Sequence, residues 1–193
     1  MMAAADYAFS AAGRAALRRL HGRRLLAAFD FDGTLAPIAL RPEQVVTPPA
    51  ARAALDRLRG WCRTAVISGR SRDDVVVRLG VAVDFAVGNH GIDGLPGAER
   101  EAAECVAVSR GWLAQLRGGE LLRALDHGLL LEDKEVSLSV HFRQARDAAR
   151  AARELPALFA TLVPSPRIVA GKMVYNLLPP SAEDKGTALL RLL

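Results

Sequence analysis

The sequence predicts an α/β fold built on a parallel sheet with crossover helices. Three short apolar segments, residues 25–31, 64–67 and 85–87, are separated by segments with helical spacing, and each is followed by a polar turn. This alternation is typical of parallel sheets, whose ligands bind beyond the carboxyl ends of the strands. We therefore expect the polar turns to lie together at one edge of the sheet.

The helices of this first half have recognisable starts and ends. Helical spacing over residues 9–20 precedes the first strand. Pro48-Pro49 should open a second helix that ends at Gly60, and a third helix is expected over residues 73–79. The polar turns after the three strands are, in order, Asp30-Phe31-Asp32-Gly33-Thr34, Ser68-Gly69-Arg70 and Gly88-Asn89-His90-Gly91.

The second half of the chain predicts a different order of elements. A Gly- and Pro-rich stretch at residues 93–97 is interpreted as a linker, and the helix expected after it, residues 99–125, is interrupted at Gly118-Gly119. The elements expected after this helix are strands over residues 129–135 and 137–143, a helix over residues 144–162 that contains Pro156, strands over residues 167–170 and 173–178, and a final helix capped by Ser181.

The strand at residues 137–143 alternates between polar and apolar side chains. Its polar face consists of Ser137, Ser139, His141 and Arg143. A solvated sheet face is the usual explanation of such alternation. Because Glu132 and Lys134 belong to the preceding strand, we interpret this solvent-facing polar surface as a binding surface.

The composition indicates a globular protein in a reducing compartment. The chain has 193 residues, of which 51% are hydrophobic, enough to bury a core. The net charge of +5 could indicate nucleic acid binding, but the basic residues are spread along the chain and only 5% of residues are aromatic, so attraction to a small anionic substrate fits as well.

Cys62 and Cys105 lack metal-site or redox spacing. Since no secretory signal or membrane-length apolar run is found, we expect a cytoplasmic monomer that binds neither nucleic acid nor membranes.

Lysine is scarce in this chain. Of the 26 basic residues, only Lys134, Lys172 and Lys185 are lysines. Lysine carries a compact point charge that fits beside a phosphate or carboxylate in a tight site. The three lysines are therefore candidates for binding an anion, although chance alone could account for so few residues.

The turn after the first strand carries the groups needed for phosphate-ester hydrolysis. Asp30 and Asp32 follow an apolar strand, where unpaired carboxylates are costly to bury. An ordinary turn capped by Asp30 is the structural alternative. Asp30 could attack phosphorus to form an aspartyl-phosphate, and Asp32 could protonate the leaving alcohol and later take a proton from water.

Placing a phosphate beside two carboxylates requires positive charge. Mg²⁺ could supply it, with a carboxylate oxygen of Asp30 and the main-chain carbonyl of Asp32 as ligands. Backbone N–H groups, hydroxyls and an ammonium could bind the phosphoryl oxygens. The residues expected to supply these groups are Gly33, Thr34, Ser68, Gly69 and Lys185.

Several of these segments carry a family resemblance. The segments DFDGTL at residues 30–35, ISGR at 67–70 and DKG at 184–186 resemble three motifs of the haloacid dehalogenase superfamily of phosphatases. More narrowly, GNHG, LEDKEVSLSVHFR and GKMVYNLLPP are similar to substrate-cap elements of trehalose-6-phosphate phosphatases. The matching segments occur in order over about residues 25–190.

The resemblance implies a Mg²⁺-dependent phosphatase with a Rossmann-like core, residues 1–92 and 179–193, and an inserted α/β cap, residues 93–178. The implied reaction converts trehalose 6-phosphate to trehalose and phosphate, a step of trehalose biosynthesis, with Asp30 as nucleophile and Asp32 as acid and base. The residues implied to bind the sugar are Arg70, Asn89, His90, Gly91, Glu132, Lys134, Ser139, His141, Arg143, Lys172 and Asn176.

Two departures from the family pattern bear on function. Asn176 stands where the family usually has Glu. The Asn side chain can still form hydrogen bonds, but it carries no charge. No carboxylate side chain follows Asp184, so the family's acidic fourth motif, a source of further Mg²⁺ ligands, is missing from the sequence, and we expect a core that is incomplete at its C-terminus. A phosphatase of another sugar phosphate and a catalytically impaired sugar-phosphate-binding protein stay open as alternatives.

Overall fold

The computed structural model describes residues 7–39, 44–118 and 128–193, and these residues contain two sheets. The strands in chain order are Leu26–Phe29 (β1), Arg63–Ile67 (β2), Phe85–Val87 (β3), Leu130–Asp133 (β4), Leu138–His141 (β5), Arg167–Gly171 (β6) and Val174–Leu178 (β7). The first sheet is parallel with the order β1-β2-β3, and the second is antiparallel with the order β4-β5-β7-β6.

Helices connect and cover the two sheets. In chain order they are Ala11–Arg18 (α1), Pro49–Arg59 (α2), Arg72–Leu79 (α3), Glu99–Gly118 (α4), Ala148–Phe159 (α5) and Lys185–Leu192 (α6), and a 3₁₀ turn covers Asn89–Gly91. Among the described helices, none has both the length and the apolar character needed to cross a bilayer. The starts and ends predicted for α2 are confirmed, with Pro48 before its first residue and Gly60 after its last.

The predicted α/β fold with a parallel sheet is confirmed. Val66 and Ile67 of the central strand β2 face opposite sides of the sheet. Val66 packs in a buried cluster with residues of α2 and α3, whereas Ile67 packs with Val87 of β3 and Ala188 of α6. Helices thus cover both faces, and the carboxyl ends of the strands carry the polar turns to one edge of the sheet.

The antiparallel sheet has a separate core on one of its faces. Leu138 and Val140 of β5 pack against Trp112 of α4 and against Leu155 and Phe159 of α5. All five side chains are fully buried. The apolar half of the alternation in β5 therefore packs against two helices, as its pattern indicates.

The expectation that the polar face of β5 is open to solvent is wrong for its serines. Ser137 and Ser139 are both buried. β5 is an inner strand, and Ser139 is paired with Glu132 on one side and Asn176 on the other. The hydroxyl of Ser139 donates a hydrogen bond to Asn176 Oδ1 at 2.7 Å, so its neighbours, rather than water, satisfy it.

One predicted helix end is not tested by the structure, and one predicted helix cap is wrong. Helix α4 is described as far as Gly118, and the rest of the helix predicted over residues 99–125 lies outside the described residues. The predicted cap of the final helix, Ser181, is wrong, because Asp184 caps α6 by accepting a hydrogen bond from the Thr187 N–H at 2.8 Å. Ser181 precedes the cap, in the segment between β7 and α6.

Two segments connect the parallel sheet with the antiparallel part of the chain, one before α4 and one before α6, and arginines bind to both. Arg191 of α6 donates to the Gly97 carbonyl at 3.2 Å in the first segment and forms an ion pair with Glu183 in the second. Arg167 of β6 donates to the carbonyls of Ala182 and Glu183 at 2.9 and 3.1 Å. The domain limits given above stay a prediction.

Helix α5 continues through Pro156. Proline has no N–H group to donate to the carbonyl four residues earlier, which here belongs to Ala152. The hydroxyl of Tyr175 donates to that carbonyl at 2.9 Å. A side chain of β7 thus replaces the missing helix hydrogen bond.

The substitution Tyr175→Phe should lower the free energy of unfolding by about 1 kcal/mol, because the Ala152 carbonyl loses its donor. Urea unfolding would measure the change. In a Pro156→Ala background the helix can make this hydrogen bond itself, so Tyr175→Phe should cost less there. An equal loss of unfolding free energy in both backgrounds would contradict the conclusion that Tyr175 replaces the missing helix hydrogen bond.

Candidate active site

The turn after β1 directs two carboxylates outward on either side of a buried aromatic ring. Phe31 is fully buried, whereas the side chains of Asp30 and Asp32 are 47% and 40% exposed. The Phe31 N–H donates to Asp30 Oδ1 at 2.8 Å. The turn is closed by a hydrogen bond from the Gly33 N–H to the Ala36 carbonyl at 2.8 Å, with Gly33 in the left-handed region (φ 81°).

The two N–H groups of this turn that were predicted to bind phosphate already donate hydrogen bonds to carbonyls of the turn. The Gly33 N–H donates to the Ala36 carbonyl, and the Thr34 N–H donates to the Phe31 carbonyl at 3.3 Å. Thr34 is exposed. Its hydroxyl is therefore better placed than either N–H group to meet a ligand.

Lys185 contacts Asp30 from the far end of the chain. Because Asp184 caps α6, Lys185 is the first residue of that helix, and its Nζ lies 2.8 Å from Asp30 Oδ1. The start of α6 packs closely against Gly91, where an added Cβ would lie 2.7 Å from the Asp184 carbonyl oxygen. The absence of a side chain at Gly91 lets the lysine reach the aspartate.

Arg70 binds both carboxylate oxygens of Asp32. Nε donates to Oδ2 and Nη2 donates to Oδ1, each at 2.8 Å. Nη1 donates to Asp74 Oδ2 at 2.9 Å. The hydrogen bond to Asp32 is the main cause that raises the pKa of Arg70 above its ordinary value.

Asp74 and Arg78 extend this ion-pair network, and sequence analysis did not predict either residue. Arg78 Nε donates to Asp74 Oδ1 at 2.7 Å, and Arg78 Nη1 donates to the Val45 carbonyl at 2.9 Å. Partial burial raises the pKa of Asp74, but hydrogen bonds from Arg78 and Arg70 outweigh it and lower the pKa overall. The i, i+4 spacing of Arg70, Asp74 and Arg78 is a signal that could have found them.

The turn after β3 is held against the turn after β2. Asn89 and His90 both have left-handed backbones, with φ of 48° and 63°. The Asn89 N–H donates to the Arg70 carbonyl at 2.6 Å, and the His90 N–H donates to the Ser68 carbonyl at 2.8 Å. Gly69 leaves room for the His90 ring, because an added Cβ would lie 2.7 Å from its Cε1.

Two polar groups in this turn have unusual environments. Burial, reinforced by the positive charges of Lys185, Lys134 and Arg167, lowers the pKa of His90 to about 4, so its imidazole is neutral at pH 7. The side chain of Asn89 is only 2% exposed, and its Oδ1 has no hydrogen-bond partner among the described residues. An unpaired buried acceptor costs about 1–3 kcal/mol, which a hydrogen-bond donor on a ligand would offset.

A cleft of about 1120 Å³ lies between these turns and the antiparallel sheet. The predicted site residues that line it are Asp32, Gly69, Arg70, Asn89, His90, Glu132, Lys134, His141, Lys172 and Asn176. The predicted site residues that do not line it are Asp30, Gly33, Thr34, Ser68, Gly91, Ser139, Arg143 and Lys185. Ser68 is fully buried, and its hydroxyl accepts a hydrogen bond from the Arg70 N–H at 3.2 Å.

The antiparallel sheet contributes a polar row to this cleft. Glu132 Oε2 lies 2.7 Å from His141 Nε2, and this hydrogen bond is the main cause that lowers the pKa of Glu132. The amide of Asn176 is held at both ends, since Oδ1 accepts from Ser139 and Nδ2 donates to the Val169 carbonyl at 3.3 Å. Glu132 and His141 are thus more accessible to a ligand than the amide of Asn176.

The described residues contain no group of three or more His, Cys, Asp or Glu side chains placed to hold a metal ion. Both carboxylate oxygens of Asp32 are bound by Arg70. Asp30 Oδ2 accepts no hydrogen bond from the residues that the structure describes. Mg²⁺ at phosphate sites often has only one or two carboxylate ligands besides phosphate and water, so the Asp30 carboxylate and the Asp32 carbonyl fit part of such a ligand set.

Sequence comparison assigns the chain to a family. The sequence profile of trehalose-phosphatases matches residues 28–193. The chain belongs to the trehalose-phosphatase family. Another member, the trehalose-phosphate phosphatase of Mycolicibacterium paratuberculosis, is 36% identical over 183 residues, which are 88% of this chain and 44% of that protein. The chain therefore spans less than half the length of this trehalose-phosphatase relative.

Solved structures of sugar phosphatases share the fold of this trehalose-phosphatase family member. The C-terminal domain of a trehalose-6-phosphate phosphatase from Candida albicans matches with a TM-score of 0.64 at 21% identity, covering 88% of this chain and 61% of that one. A sucrose-phosphatase from Synechocystis, in complex with sucrose and phosphate, matches with a TM-score of 0.55 at 18% identity, covering 88% and 69%. At these identities the similarity establishes the fold.

The low pKa of His90 predicts a pH dependence of stability. Below pH 6.5 the unfolded chain protonates this ring, whereas the folded protein keeps it neutral to about pH 4. Because the unfolded state then binds more protons, the free energy of unfolding should fall between pH 6.5 and 4, by at most about 1.4 kcal/mol per pH unit from this group.

Urea unfolding across this pH range would measure the effect. The matched variant is His90→Asn, since Asn tolerates the left-handed backbone and does not titrate. This variant should lose less stability on acidification than the wild type. The same loss in both proteins would contradict the neutral state of His90 in the folded protein.

Proposed function

We propose that this member of the trehalose-phosphatase family hydrolyses trehalose 6-phosphate to trehalose and phosphate. The observation that carries the proposal is the contact of Asp30 with Lys185 at the carboxyl end of β1, where a carboxylate and a cation meet beside a large polar cleft. Family membership supplies the substrate. The proposal concerns the activity of this chain, which spans less than half of the relative named above.

In the proposed reaction Asp30 is the nucleophile. Its Oδ2 attacks phosphorus while the bond from phosphorus to the sugar oxygen breaks, giving an aspartyl-phosphate. Asp32, protonated on one oxygen while Arg70 holds the other, donates this proton to the departing sugar oxygen and then accepts one from the water that attacks the aspartyl-phosphate. Phosphorus–oxygen bond cleavage then releases phosphate and regenerates the Asp30 carboxylate, while the Lys185 ammonium offsets negative charge throughout.

The phosphate also needs a cation, which we propose to be Mg²⁺. The residues that would hold it are Asp30, through its carboxylate, and Asp32, through its main-chain carbonyl. Mg²⁺ when bound would neutralise charge on the phosphoryl oxygens. Thr34 would add a hydroxyl contact from the chain itself.

We propose that residues 93–178 act as the cap that selects the sugar. The face of the antiparallel sheet offers Glu132 and His141 as a hydrogen-bonded pair, and the turns at its edge carry Lys134 and Lys172. Asn89 also lines the cleft, and its buried Oδ1 has no hydrogen-bond partner among the described residues. An acceptor in this position favours a ligand rich in hydroxyl donors, which a sugar is and a phosphate oxygen is not.

Hydrolysis of another sugar phosphate is the second candidate function. It is favoured by Asn176, which replaces the usual family Glu and whose amide is held by Ser139 and Val169. Contacts to the sugar at that position must therefore differ from those of a carboxylate. The fold is also shared with a sucrose-phosphatase, so the fold alone does not choose the sugar.

Phosphate release from a panel of trehalose 6-phosphate, sucrose 6-phosphate and glucose 6-phosphate tests both candidates. We expect the highest kcat/KM with trehalose 6-phosphate in Mg²⁺, and no release after EDTA treatment. A preference for another member of the panel would move the assignment to the second candidate. No release from any substrate would contradict phosphatase activity.

Asp30→Asn should reduce turnover by roughly a thousandfold or more, because the amide cannot replace the carboxylate as nucleophile. The matched control is Asp56→Asn, which makes the same change on the exposed surface of α2 and should keep the wild-type rate. Circular dichroism would verify that both variants fold. A normal rate in Asp30→Asn would remove Asp30 from the nucleophile role.

Asn89→Gly should raise KM for the sugar phosphate about tenfold, the value expected for one lost hydrogen bond. Glycine is chosen because it adopts the left-handed backbone of residue 89 without strain. The comparison substrate is p-nitrophenyl phosphate, whose leaving group has no sugar hydroxyls, and its KM should stay unchanged. An equal rise for both substrates would contradict the proposed sugar contact.

A further inference from the structure

We propose that Arg70 is a positioning residue for Asp32, held in place by Asp74, and that it does not bind the sugar. Sequence analysis placed Arg70 among the sugar-binding residues, but its contacts favour a different role. The catalytic part of this proposal rests on the proposed phosphatase function. The structural part, a bidentate pair that orients Asp32, does not.

The contacts of Arg70 are directed to carboxylates of the protein. Three of its N–H groups bind Asp32 and Asp74, at distances of 2.8 to 2.9 Å. Its guanidinium lies over the ring of Phe31, 5.6 Å from the ring centroid, and its side chain is only 14% exposed. A planar guanidinium in this bidentate geometry fixes the direction of the carboxylate as well as its distance.

Asp74 fixes the guanidinium in turn. One of its oxygens accepts from Arg70 and the other accepts from Arg78, which also binds the carbonyl of the buried residue Val45. Both ion pairs of Asp74 have i, i+4 spacing, and Asp74 lies in the first turn of α3. Asp32 is thus connected, through Arg70 and Asp74, to a helix and to a buried segment of the core.

Asp32 needs such support because its side chain lines the cleft instead of packing in the core. Its side chain is 40% exposed, and an acid or base must lie within hydrogen-bond distance of the atom that gains or loses the proton. A displacement of about 1 Å can cost roughly a hundredfold in rate. A sugar that took over the N–H groups of Arg70 would also leave two neighbouring carboxylates, Asp32 and Asp74, without those partners.

A double-mutant cycle in urea unfolding tests the pairing without any need for activity. The cycle comprises the wild type, Arg70→Met, Asp32→Asn and the double variant. We expect the unfolding equilibrium constant to show a coupling of about fivefold between the two positions. The matched control pairs Asp32→Asn with Arg72→Met, which removes the same charge from the same cleft and should show no coupling. Absence of coupling at Arg70 would overturn the proposal.

Kinetics with trehalose 6-phosphate tests the catalytic consequence. Arg70→Met should lower kcat about a hundredfold and change KM less than about threefold. Arg70→Lys should recover little of the loss, because one ammonium cannot bind both oxygens in the same fixed geometry. Asp74→Asn should also lower kcat, but by less than Arg70→Met does.

Three outcomes overturn the catalytic assignment of Arg70. A raised KM with unchanged kcat would make Arg70 a sugar ligand. Full rescue by Lys would show that charge alone is required. A wild-type kcat in Arg70→Met would show that Asp32 needs no support. If the wild type itself releases no phosphate, the proposed function fails, while the coupling measured by the cycle still confirms or overturns the pairing.

Discussion

Two carboxylates at the end of one short strand impose a charge balance on which the arrangement of the site depends. Asp30 is balanced by Lys185, 155 residues along the chain, and Asp32 is balanced by Arg70 from the turn after β2. This balance requires the first turn of α6 and the turn after β2 to lie against the turn after β1. A parallel sheet meets the requirement because it brings the carboxyl ends of its strands to one edge.

The same close approach constrains the main chain around the cleft. Gly69 gives space to the His90 ring, and Gly91 gives space to the carbonyl of Asp184. The left-handed conformations of Asn89 and His90 cost about 1–3 kcal/mol each, and hydrogen bonds from their N–H groups to neighbouring carbonyls help to offset that cost. The packed turns partly bury His90, which favours an uncharged ring among positive side chains.

The parallel sheet could be predicted because strand, turn and helix signals recur locally in the sequence, whereas the surroundings of individual side chains depend on distant residues. Alternation in β5 identified the face of Ser139 but not its burial between two strands. Ser181 and Asp184 both have the chemistry of a cap, and only packing decides between them. The motif around Arg70 suggested a ligand contact. The i, i+4 spacing of Arg70 and Asp74 indicates their pairing in the sequence, whereas the ion pair between Arg70 and Asp32 can be found only in the folded structure.

Arg167 makes the position of Lys185 depend on the antiparallel sheet. The guanidinium of this β6 residue binds the carbonyls of Ala182 and Glu183, and Glu183 lies two positions before Lys185. A rotation of the antiparallel sheet relative to the parallel one would therefore move the amine that contacts Asp30. In this architecture, the orientation of the antiparallel sheet and the position of the amine beside Asp30 are coupled.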